Sequence, residues 1–139
     1  MNPFSPLDSN SQLLSKVLDL RATKAEVISS NIANAETPGY APSHFDFEED
    51  LAAAMGSRAN LNLQTTASNH IPLHPTNFDS VEGKIIEEKD TSPIGDENGV
   101  SVDEEMVSLS ENQILYETAA QLLKKKLSIY RYVVSDGGA

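Results

Sequence analysis

The chain has 139 residues, a formal net charge of −11, no cysteine and no tryptophan, with 39% apolar and 6% aromatic residues. That composition allows one domain with a moderate core and leaves too little apolar mass for a large enclosed active site. The acidity opposes binding to nucleic acid or to anionic membrane surfaces, and the lack of cysteine excludes disulfide and thiolate chemistry.

The charge is uneven, at about −1 over residues 1–40, about −8 over 41–100 and about −2 over 101–139. The opening MNPFSPLDSNSQ lacks a basic stretch followed by an apolar core. No run approaches the roughly 18 apolar residues of a membrane span, so neither a cleavable signal nor a membrane insertion is expected.

From Ser9 to Asn34 the apolar residues recur at helical spacing. Leu14, Leu18, Ala25, Ile28, Ile32 and Ala35 form one seam, interrupted only by Arg21 and flanked by Leu13, Val17, Leu20 and Val27. Asp8 or Ser9 is the expected N-cap, and Pro3 and Pro6 oppose an earlier start. The helix runs into the decapeptide Asn31 to Tyr40, NIANAETPGY. A residue before proline is pushed out of the helical region, so Thr37 is expected to end the helix. Pro38 and Gly39 then take the central positions of a type II turn, with Tyr40 at its exit. An ordinary helix stop explains the turn chemistry alone. The amides of Asn31 and Asn34, three residues apart beside small Ala33 and Ala35, additionally suggest a surface that another backbone can approach.

Residues 41–100 read as an acidic, loop-rich insert with short apolar pieces, including a helical turn or more within residues 45–55 and a strand within 81–89. This insert is expected to supply little core. After Asn98-Gly99, Ser101 followed by Glu104 has the form of a capping box and opens a second helix to about Val134. Its predicted seam is Met106, Leu109, Gln113, Tyr116, Ala120, Leu123, Leu127, Tyr130 and Val134. Ile114, Leu122, Ile129 and Val133 broaden the stripe beyond what one partner helix covers. The expected fold is mainly α, with residues 1–40 and 101–139 pairing as a coiled coil or bundle around the insert, and a surplus apolar face left for other chains.

Chemistry-bearing groups are sparse. His70 and His74 have the spacing of a helical metal pair, but Pro72 between them opposes the helix. Glu48, Glu49 and Asp50 diverge around a helix and read as a solvated face. Lys124 to Lys126 suits the C-terminal part of a helix, and Tyr116 and Tyr130 fit packing better than acid catalysis. No phosphate loop, nucleophile elbow or dinucleotide fingerprint is present, so no enzyme, metal or cofactor is expected.

The N-I-A-N-A-x-T-P-G-Y end of the first helix, together with the V-D-x-E-M pattern at Val102 to Met106, resembles the bacterial flagellar axial proteins. The short length, the pair Asp46-Phe47, and Glu111-Asn112-Gln113 with Tyr116 and Leu122-Leu123 resemble, within that group, the proximal-rod basal-body proteins of the FlgB type. The resemblance implies a non-enzymatic subunit exported unfolded through the flagellar type III apparatus. It further implies assembly in the periplasm with itself, other rod subunits and proteins at the membrane-ring junction, through terminal helices that order as they stack. Phe47 to Leu51 has the form of the Phe-x-x-x-apolar element that the export gate reads in similar substrates, and Phe47 is equally suited to packing. Ala41-Pro42 departs from the family, which usually places a basic residue after the tyrosine. A different reading of the same residues is a small acidic adaptor or export-associated module whose helices clasp one partner in a closed complex.

Overall fold

The computed structural model describes residues 9–59, 78–88 and 99–135. Helix α1 (Ser9–Ala33) leads through a turn into strand β1 (Ser43–Asp46) and helix α2 (Glu48–Ala59). A 3-10 turn (Phe78–Ser80) and strand β2 (Lys84–Glu87) follow, and helix α3 (Val102–Val134) completes the order. Two long terminal helices with a small sheet between them are the mainly helical architecture that the periodicity predicts.

α3 starts where the capping residues place it. Ser101 is extended and its hydroxyl accepts the backbone N–H of Glu104 at 3.4 Å, while Asp103, Glu104 and Glu105 occupy the first turn, where the helix dipole favours acids. α1 ends at Ala33, four residues before Thr37. The physical reason is local: the Asn34 side-chain amide donates to the Ser30 carbonyl at 2.8 Å. Tight three-residue turns then replace the helical ladder, with Ala35 N–H on the Ile32 carbonyl and Thr37 N–H on the Asn34 carbonyl.

β1 and β2 pair antiparallel, with Ser43 opposite Glu87 and Asp46 opposite Lys84. Gly83 enters β2 at φ +71, and a Cβ there would lie 2.3 Å from Cζ of Phe45. The absent side chain therefore lets the Phe45 ring cover the backbone.

The insert supplies the centre of the core. Phe45, Phe47, Ala54, Phe78 and Val81 cluster with Leu20, and Leu13, Val27 and Leu51 pack around them. Among the described residues, Phe47 and Val81 are the largest apolar side chains that are completely enclosed. This corrects the expectation of a core-poor insert. Leu13, Leu20 and Val27 lie seven apart, so one stripe of α1 faces the insert. Another faces α3, and α1 is thereby held on two sides.

Candidate functional site

The two sequence motifs, separated by more than sixty residues, meet at Asn31. This residue sits in the last turn of α1 and is 0% exposed. Its side-chain nitrogen donates to the Ser43 carbonyl at 2.8 Å and to Glu105 Oε1 at 2.7 Å. Its side-chain oxygen accepts the Ser43 backbone N–H at 3.0 Å and the Tyr40 hydroxyl at 3.1 Å. An amide has two donors and two acceptor positions, and all four are used. One side chain thus ties α1, the turn, the start of β1 and the first turn of α3.

The turn makes this geometry possible. Gly39 has φ +73 and the Tyr40 N–H donates to the Thr37 carbonyl at 3.2 Å, as a type II turn with Pro38-Gly39 at its centre requires. Thr37, Pro38 and Gly39 are exposed, and the reversal carries the half-buried Tyr40 back over α1. Pro42 is buried immediately before Ser43 and begins the strand. The backbone that approaches Asn31 therefore belongs to the same chain, and Asn34 is engaged locally with Ser30 and Thr37.

A second polar contact lies further along the helix pair. Asn112 donates to the Arg21 carbonyl at 2.8 Å and accepts from Arg21 Nη1 at 3.1 Å. Pairing Asn31 with Glu105 and Arg21 with Asn112 makes α1 and α3 antiparallel. Arg21 also lies 5.4 Å over the Phe47 ring, and Lys24 lies 5.6 Å from its centroid while holding Glu48 at 2.7 Å. Partial burial pushes the Glu48 carboxyl upward. The Lys24 hydrogen bond and backbone donors at Phe47 and Glu48 outweigh that push, and the net shift is downward.

The predicted seam residues divide by helix. On α1, Ile28 is buried and Leu14, Leu18, Ala25 and Ile32 are half-buried. On α3, Leu109, Leu123 and Tyr130 are half-buried, whereas Met106, Tyr116 and Leu127 are exposed in the single chain. The buried residues of α3 are Glu105, Asn112 and Ala119, one position before Met106, Gln113 and Ala120. Apolar periodicity missed them because two are polar and are held by α1. Their spacing of seven was the only available signal. Phe47 is enclosed and Leu51 half-buried, so in the folded chain both serve as packing residues.

A polar cavity of about 340 Å³ adjoins the junction, and Asp46, Glu88, Glu104 and Glu105 line it with Lys24 and His44. His44 contacts Glu88 at 2.9 Å. Among the described residues no three side chains converge as a metal-binding group, and His70 and His74 lie outside those residues. The site joins elements together; its exposed extension is the apolar face of α3.

Comparison with known proteins places the same residues in one family. A family model described as "Flagella basal body rod protein" matches residues 18–40, which hold Arg21, Asn31 and the turn. The chain is 30% identical over 135 residues to the flagellar basal body rod protein FlgB of Yersinia ruckeri, covering 94% of this chain and 97% of the relative. It is 29% identical to the FlgB of Salmonella typhimurium, covering 94% and 96%, and 34% identical over 113 residues to that of Cereibacter sphaeroides, covering 81% and 84%.

Proposed function

From the premise that this chain belongs to the FlgB family of flagellar basal body rod proteins, we propose how its helices serve that role. The protein is a structural subunit of the proximal rod, the shaft through which motor torque passes. Residues 1–40 and 101–139 act as the assembly core, and within the insert, residues 41–100, the described residues around Phe45, Phe47, Phe78 and Val81 brace α1 from its other side. The single observation carrying this reading is the Asn31 junction, where the two family motifs close a helical hairpin while α3 keeps Met106, Ile114, Tyr116, Leu127 and Ile129 exposed. Large apolar side chains each contribute about 1.5–3 kcal/mol when buried, so that face favours association.

In the rod, the subunit contacts further copies, other rod proteins and components at the membrane-ring junction. The chain reaches the periplasm through the flagellar type III export apparatus as an unfolded polypeptide. Phe47 and Leu51 are then accessible to the export gate and become core residues on folding. Such a subunit has no catalytic task.

The experiment is mass spectrometry of basal bodies purified from the source organism, beside a strain lacking the gene. The reading expects the chain in the rod fraction and loss of rods on deletion. Normal rods without it would overturn the assignment and favour a closed adaptor complex.

A further inference from the structure

Glu105 is only 9% exposed, yet no ion pair among the described residues includes it. Its carboxylate takes a single hydrogen bond from them, and the donor is neutral: Oε1 accepts from the Asn31 amide at 2.7 Å, and no described residue donates to Oε2. A carboxylate is rarely enclosed without a cation, because removing the charge from water costs more than one amide hydrogen bond returns. The N-terminal end of α3 favours an acid in its first turn without supplying a donor to that oxygen. The Glu104 N–H goes to the Ser101 hydroxyl and the Glu105 N–H to the Ser101 carbonyl.

Glu105 lines the cavity of about 340 Å³ between the end of α1, β1 and the start of α3. Two basic groups share the wall, and both are engaged with other acids: Lys24 holds Glu48 at 2.7 Å, and His44 contacts Glu88 at 2.9 Å. Asp46 and Glu104 add carboxylates that no ion pair among the described residues uses. The Ser108 hydroxyl, one turn further along α3, lines the same space. The cavity is thus acidic around an enclosed, half-satisfied carboxylate, and its own bases are occupied.

We propose that this cavity binds an arginine side chain presented by a partner protein, whose guanidinium completes the ion pair at Glu105. The carboxylate needs a positive charge and an N–H donor at the same point. Further acceptors stand on β1, after β2 and on α3, and a planar group with five donors meets such a spread set better than an ammonium with three. Among the described residues no three side chains converge as a metal-binding group, which disfavours a metal ion there. The volume lies at the small end of the range for ligand pockets and suits one side chain rather than a folded element. The chain's net charge of −11 opposes a second copy as the donor and favours a basic partner. The site is the same in a rod subunit and in a closed adaptor, so the proposal does not rest on the assignment above.

The test is a titration of the isotope-labelled full chain with N-acetyl-L-arginine amide, followed through its backbone N–H resonances. Saturable shifts are expected at Ser43, His44, Gly99, Ser101 and Ser108, with a midpoint on the order of 1 mM, the scale of one engaged side chain. Ser108→Arg, at an exposed position of the wall, supplies a guanidinium from within the chain and is expected to abolish them. Ser110→Arg, which adds the same charge outside the cavity, is expected to leave them in place. Glu105→Gln is expected to weaken binding at least about tenfold. Circular dichroism checks that this variant is folded; if it is not, the exposed Glu104→Gln is expected to weaken binding about two- to threefold. No saturable shift, equal shifts with the uncharged N-acetyl-L-norleucine amide, or unchanged binding to Ser108→Arg overturns the proposal. Loss of binding in Ser110→Arg as well reduces the effect to general surface charge and overturns it too. Tighter binding of putrescine or of calcium at the same resonances overturns the arginine assignment in favour of a free amine or a metal ion. None of these outcomes bears on the presence of the chain in basal bodies, which the mass spectrometry decides separately.

Discussion

Asn31 uses every hydrogen-bonding position of its amide inside the chain, and no other side chain reproduces that set. Aspartate keeps the shape but loses both donors and brings a second carboxylate to Glu105, which is 9% exposed. Asn31→Asp is therefore expected to lower stability by about 3 kcal/mol or more in urea unfolding, and Asn31→Ala by about 2–3 kcal/mol, because buried partners are left unpaired. Two glycines offer a finer test. Gly39 and Gly83 share a positive φ, yet only Gly83 has a ring where a Cβ would stand. Gly39→Ala is expected to cost about 1 kcal/mol and Gly83→Ala distinctly more, so equal losses on thermal unfolding would contradict the Phe45 packing. Glu48 supplies the pH dependence. Its folded carboxyl is held below the ordinary value of 4.5, so its contribution is present above that value and fades as pH falls through the lowered one. Urea midpoints of wild type and Glu48→Gln are expected to converge at acid pH and to separate, slightly because the group is half-exposed, near neutrality.

The elements were legible in the sequence wherever the cause was local. The Ser101 cap, the Pro38-Gly39 turn and both long amphipathic helices rest on neighbouring residues, and the structure carries them. Two features were not legible. Glu105 and Asn112 take the inward positions of α3 that apolar patterning assigned to Met106 and Gln113, because their partners lie in α1, far away in sequence. The core of the insert depends on Phe45, Phe47, Phe78 and Val81, whose irregular spacing gives no period until Leu20 of α1 gathers them. The Arg21–Asn112 contact belongs to this scale, since paired polar groups in a helix seam fix register as well as adding stability. A double-mutant cycle of Arg21→Ala and Asn112→Ala is expected to show a coupling of about 1–2 kcal/mol. A coupling near zero would assign the register to apolar packing alone.

For the whole molecule, α1 mediates between the described core of the insert and a long helix that is only partly covered. α3 has 33 residues and α1 has 25. With Asn31 set against Glu105, α3 extends about 10 Å past Ser9. That extension carries Ile129, Tyr132, Val133 and Val134 in exposed positions, with Val134 at 86% exposure. On the reading proposed above, that surface is where the subunit meets its neighbours. The Asn31 junction and the described parts of the insert hold α1 on two sides, and we propose the outer face of α3 for assembly.

The central claim is that closure of the hairpin at Asn31 is what makes the chain competent to build rod. It is tested most directly by complementation of a strain lacking this gene with wild type, Asn31→Asp or Asn31→Gln, counting rods in purified basal bodies by electron microscopy while monitoring the level of the chain. Wild type is expected to restore rods, and both variants to be produced at comparable level yet yield few or none. Normal rod numbers with Asn31→Asp would contradict the claim, and would place the determinant of assembly in the outer face of α3 alone.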